Sequence, residues 1–90
     1  MNKEIWKYSL IDVGNNTFEI PSGAKILTCQ LQREVPTIWA LVNPDAEKEE
    51  RHFEVVGTGH DISKGIGGFS YINTVQLTNG IVLHIFEIIK

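Results

Sequence analysis

The sequence predicts a single, mainly β domain spanning residues 1–90, antiparallel and either barrel-like or a two-layer sheet, with at most a short helix. Three observations predict it. Lys25 to Gln32 alternates, with Leu27, Cys29 and Leu31 on one side and Thr28, Gln30 and Gln32 on the other, the period of a strand with one apolar face. Asn79-Gly80 stands between two β-type runs, the strongest short hairpin signal a sequence carries. The remaining apolar runs read as further short strands, six or seven in all, separated by turn residues.

Taken in order, Glu4 to Leu10 is a β-type run carrying Ile5, Trp6, Tyr8 and Leu10, and Asp12-Val13-Gly14-Asn15-Asn16 ends it with turn chemistry. Thr17 to Ile20 is a short strand, closed by Pro21-Ser22-Gly23, where proline fixes φ and glycine supplies a positive one. Arg33-Glu34 is a tight connection after the alternating strand. Pro36 to Val42 is apolar on both faces and reads as a central strand. Asn43 to Arg51 is a polar surface loop with room for one helical turn after Pro44, and His52 to Val56 is another strand. Gly57 to Gly68 holds five of the chain's eight glycines and reads as a long ordered loop, a kind of segment that often carries function. A two-residue loop at Asn79-Gly80 would pair Leu77 with Val82 and Val75 with His84, with Tyr71 and Phe86 on the same face.

A net charge of −3 argues against a binder of polymeric nucleic acid or of membrane surfaces, both of which need a basic face. A local basic pocket for a small phosphorylated ligand is compatible with it. The single cysteine, Cys29, excludes an intramolecular disulfide framework. The N-terminus lacks the apolar run of a signal peptide, and no stretch approaches the roughly 18 apolar residues of a membrane span. A cytoplasmic location is expected.

No catalytic motif is present, so the expectation is a protein that is not an enzyme and needs no cofactor or metal. His52, His60 and His84 match no metal-ligand spacing, and His84 reads as a hydrogen-bonded interior histidine. Cys29 reads as a core residue between Leu27 and Leu31. Gly57-Thr58-Gly59-His60-Asp61 follows a strand, and its glycines would let backbone N–H groups approach an anion. The third glycine of a dinucleotide fingerprint would fall at Ile62, so that fingerprint fails, and an ordinary bulged strand end is the plainer reading. The candidate ligand-binding residues are Thr58, Gly59 and His60, with Trp39 or Tyr71 as a stacking face and Lys7 and Arg33 as charge partners. Gln30, Gln32 and Thr74 could add directed hydrogen bonds. Against this, the aromatics serve as well as core, and Trp39 in a central strand more so than Tyr71.

One ordered set of residues carries a resemblance. It comprises Ile5-Trp6-Lys7-Tyr8, Pro21-Ser22-Gly23-Ala24-Lys25-Ile26-Leu27, Gln30, Gln32, Pro36 and Trp39-Ala40-Leu41-Val42. It continues with Phe53, Gly57-Thr58-Gly59-His60, Tyr71-Ile72, Thr74, Gln76 and His84-Ile85-Phe86-Glu87. On these residues the chain resembles a family of small phage proteins catalogued as a domain of unknown function, and is similar to the phage anti-CBASS sponges. The resemblance implies a homo-oligomer that sequesters a cyclic dinucleotide immune signal, without cleaving it, inside an infected bacterial cell. It transfers no ligand-contacting residue.

Two other classes compete with that reading. A small phage protein-interaction module that blocks a host protein would show an exposed sheet edge or an apolar patch without a polar concavity. A phosphodiesterase would need carboxylates or histidines converging in one pocket. A homo-oligomer, dimer or tetramer, is expected on physical grounds too, because one small domain has difficulty covering both faces of Pro36 to Val42 and Ile81 to Ile89.

Overall fold

The structure is a computed structural model and describes residues 2–62 and 68–89. These form seven strands: β1 (Glu4–Ser9), β2 (Gly14–Pro21), β3 (Lys25–Gln32), β4 (Val35–Val42), β5 (Lys48–Gly57), β6 (Phe69–Gln76) and β7 (Val82–Ile88). They make two antiparallel sheets, one ordered β1-β4-β3 and the other β2-β5-β7-β6. The mainly β domain predicted from the sequence is what forms, as two layers rather than a closed barrel.

The two sheets share one core, in which Ile20, Cys29, Ile38, Ala40, Val42, Phe53, Val55, Val75, Leu83 and Ile85 are buried, with Trp6, Tyr8 and Phe18 packed against it. The even-numbered residues of β4 face this core. Trp39 and Leu41, on the other parity, face outward. β4 is a central strand, as its composition predicts.

Three side-chain links tie the sheets together. Asn73 on β6 accepts hydrogen bonds from the Cys29 N–H at 3.1 Å and from the Thr28 hydroxyl at 3.2 Å, both on β3. Five residues further along both strands, the Glu34 carboxylate accepts from the Thr78 N–H at 2.8 Å and its hydroxyl at 3.0 Å. β3 and β6 therefore run the same way, edge beside edge. At the other end of the core Arg51 donates to the carbonyl of Ala24, just before β3, at 2.6 Å, and is held within its own sheet by a two-pronged ion pair with Glu87 at 2.6 and 2.8 Å. The Glu87 carboxylate raises the Arg51 pKa further above its already high value.

Several expectations are corrected. The β6–β7 loop is not two residues long: the Leu77 N–H bonds the Ile81 carbonyl, and the Gly80 N–H bonds the Leu77 carbonyl. Thr78-Asn79-Gly80 is a three-residue loop with only Gly80 at positive φ, +94°, whereas a two-residue mirror-image turn needs Asn79 there too. The register shifts by one, so Val75 pairs with Leu83 and Thr74 with His84. Leu27 does not share the inner face with Cys29, because a bulge between Ile26 and Thr28 turns it outward. The polar loop is shorter than expected and contains a turn at Pro44-Asp45 rather than a helical one, with β5 starting at Lys48. Residues 63–67 of the glycine-rich loop lie outside the described residues.

Candidate functional site

The loop after β5 is built around its glycines. The His60 N–H bonds the Gly57 carbonyl at 3.1 Å and closes a turn in which Gly59 takes φ +87°. That conformation at the third turn position is one that glycine supplies without strain. The His60 ring then falls back onto Gly57. A Cβ on Gly57 would stand 3.0 Å from the ring Nδ1, so the glycine lets the ring approach this closely, while its own backbone angles do not demand it.

The turn lies over the outer face of the four-stranded sheet. Val56 is on that face, is buried, and lines one hollow with the loop residues. Beneath the loop is a small cavity of about 150 Å³, lined by Val56, Gly57, Thr58, Gly59, His60, Ile62, His84 and Phe86. His84 anchors a continuous polar row. Its Nε2 lies 2.6 Å from the Thr58 hydroxyl and its Nδ1 lies 2.9 Å from the Thr74 hydroxyl, which is in turn 2.6 Å from the Tyr71 hydroxyl. The strand pairing explains the row, since Thr74 stands opposite His84 and Tyr71 opposite Phe86.

An aromatic shelf continues from this row. The Phe86 ring meets Phe69 edge-on at 5.2 Å and Tyr71 edge-on at 5.5 Å. Phe69 is 48% exposed and Tyr71 is 58% exposed. Large aromatic surface left in water beside a hydrogen-bonding row is the composition of a contact surface.

Of the residues proposed from the sequence, Thr58, Gly59, His60 and Tyr71 are brought together here. Trp39, Lys7 and Arg33 are not. They lie on the outer face of the three-stranded sheet or its β3–β4 turn, where Lys7 stands opposite Trp39 in register. Two sheets back to back send their outward side chains to opposite sides of the molecule, so no one ligand can touch both sets in a single chain. The sequence reading missed His84 as a site residue. It is hydrogen-bonded as expected, but on the outer face rather than in the interior. The one-residue register shift conceals this, because a slip of one moves every side chain to the other face.

The row could serve chemistry in two ways. An imidazole flanked by hydroxyls can accept at one nitrogen and donate at the other, matching a ligand with mixed polar groups. A hydroxyl at 2.6 Å from an imidazole is also half of a nucleophile–base pair. Here, though, the group that would orient the base at Nδ1 is the neutral Thr74 rather than a carboxylate. Cys29 is fully buried, and burial pushes its thiol up to about 11, far from the thiolate a nucleophile needs. Among the described residues no group of three or more histidines, cysteines and carboxylates could hold a metal ion, and no helix is long and apolar enough to cross a membrane.

No curated protein and no solved structure matches this sequence. A family model does, described as "Domain of unknown function (DUF7352)", and it covers residues 1–90. A match over the whole length, on a chain that folds as one two-sheet β domain, places this protein in the DUF7352 family.

Proposed function

We propose that this protein binds a small ligand of the nucleotide class on the β6–β7 face and does not transform it. The observation that carries the reading is the pair of exposed rings, Phe69 and Tyr71, set against a half-buried Phe86 and continuous with the Tyr71–Thr74–His84–Thr58 row. A base is a flat ring with a polar edge, and a stacking face beside directed donors and acceptors meets both. His60, exposed on the turn, is the side chain at hand to hydrogen-bond a phosphate.

The specific form of the proposal is a phage immune-evasion protein that sequesters a cyclic mono- or dinucleotide signal. That setting comes from the resemblance of the sequence. The cavity under the loop is too small to enclose such a ligand, so this form of the proposal requires a second copy of the chain laid over the shelf.

The test is to incubate the purified protein with a panel of cyclic mono- and dinucleotides, separate bound from free, and heat the bound fraction. Intact nucleotide in the released fraction is the expected result. Altered nucleotide would turn the Thr58–His84 pair into a catalytic one. No depletion of any nucleotide would remove the proposal.

A second reading has its own observation. Ile11 and Val13, in the β1–β2 connection, are 76% and 74% exposed. They rim an apolar hollow of about 220 Å³ whose walls include Leu10, Pro36, Val55 and Leu83. Apolar side chains this exposed favour a protein-interaction module. Substituting Val13→Asp would then abolish partner capture and leave nucleotide binding untouched.

A further inference from the structure

We propose a separate oxyanion site on the opposite side of the molecule, formed by Lys7, Ser9, Gln32 and Arg33, whose ligand is a phosphate group. It does not rest on the β6–β7 reading. The strand order puts β4 between β1 and β3. The registers Lys7–Trp39, Ser9–Thr37 and Gln32–Val35 then set Lys7, Ser9 and Gln32 on one outward face. Lys7 reaches across β4 and donates to the Gln32 Oε1 at 2.8 Å. That bond uses the acceptor end of the amide and leaves its NH₂ end as the free one. The Ser9 hydroxyl and the Arg33 guanidinium add further donors. These groups line a hollow of about 380 Å³, completed by Ile11 and Val35, with no carboxylate in its lining.

Charge points the same way. The chain carries a net charge of −3, yet this hollow gathers two cations. The ion pairs among the described residues join Arg51 to Glu87 and His52 to Glu50, and neither Lys7 nor Arg33 takes part in one. Two cations match the double negative charge of a phosphate monoester, where a carboxylate would leave one over.

The backbone adds an independent observation. Arg33 and Glu34 form the two-residue β3–β4 turn with φ of +53° and +66°, and both are ordinary side-chain-bearing residues. Such mirror-image turns normally use Asn-Gly, because a left-handed residue with a Cβ is strained. Glu34 is explained by its two bonds to Thr78, which anchor the turn. Arg33 makes no such bond, and what it contributes at that strained position is a guanidinium at the rim of the hollow. Strain kept where a less strained residue would serve is a mark of function.

The test is a titration of ¹⁵N-labelled protein with inorganic phosphate and with adenosine monophosphate, at constant ionic strength. The expected result is saturable shifts at the Lys7, Ser9 and Arg33 amides and at the Gln32 side-chain NH₂. Arg33→Gln and Lys7→Gln should each weaken the binding at least about tenfold, and Lys48→Gln, which removes an exposed cation on the other sheet, should leave it unchanged. Tighter binding of the nucleotide than of phosphate, with shifts at the Trp39 indole, would identify a nucleoside phosphate as the ligand. Equal affinities would identify the phosphate group alone. Absence of saturable shifts at these positions, or shifts that persist unchanged in Arg33→Gln, would overturn the proposal. The failure of the β6–β7 site would leave this result standing.

Discussion

Cys29 is a thiol sealed inside the core. Its pKa rises from 9.0 to about 11 because burial penalises the thiolate, and that shift is also a statement about stability. The unfolded chain ionises this thiol first as pH rises. Its contribution to stability is therefore fully present below about 9 and is lost as pH climbs toward 11. Burial raises the Tyr8 phenol too, which acts in the same direction. Urea denaturation between pH 8 and 11 should show stability falling, and Cys29→Ala should fall less steeply over that window. The alternation of Lys25 to Gln32 was sufficient to read Cys29 as core. It could not reveal that Leu27 leaves that face, because a bulge needs only one extra residue and has no composition of its own. Arg33 belongs to this scale as well. Arg33→Asn should stabilise the fold by roughly 0.5 kcal/mol, since asparagine tolerates positive φ better, and chemical denaturation would register it. A destabilised variant would mean that the guanidinium supports the fold instead.

At the scale of elements, the C-terminal hairpin was legible and its register was not. Asn-Gly between two β-type runs fits both a two-residue mirror-image turn and a three-residue loop whose last residue is left-handed. The choice between them falls on the φ of Asn79, which no pattern of apolar residues reports. Gly80→Ala tests the observed loop. With φ at +94° and nothing within 4 Å of the new Cβ, the penalty is purely conformational, about 1 kcal/mol in equilibrium unfolding. The β3–β6 seam was illegible for a different reason. Asn73 sits in a run that reads as an ordinary strand, and its work is to satisfy the Cys29 N–H of an edge strand far away in sequence. Asn73→Ala leaves that donor unpaired and should destabilise by about 1–3 kcal/mol. An amide at Cys29 that exchanges with solvent much faster in the variant would locate the damage at the seam.

For the molecule as a whole, the loop at Thr58-Gly59-His60 and Tyr71, grouped on the sequence as turn glycines and a nearby aromatic, do lie on one face of the four-stranded sheet. The sequence reading joined to them Trp39, Lys7 and Arg33, which the two-sheet architecture sends to the other side. Chain proximity to a strand end says nothing about which face of which sheet a side chain joins, and that is decided only when the layers pack. The result is a flat domain, 42 × 31 × 17 Å, with a stacking and hydroxyl face on one side and a cationic hollow on the other. On the proposed function, the β6–β7 face holds a nucleotide intact. This is tested most directly by calorimetric titration of cyclic dinucleotides into the wild-type protein and the Thr58→Ala and His60→Ala variants, with each variant's Tm measured in parallel. A nucleotide held on this face requires binding weakened by at least about tenfold in both variants at a nearly unchanged Tm. Normal binding by both variants, or unfolding of both, would contradict it.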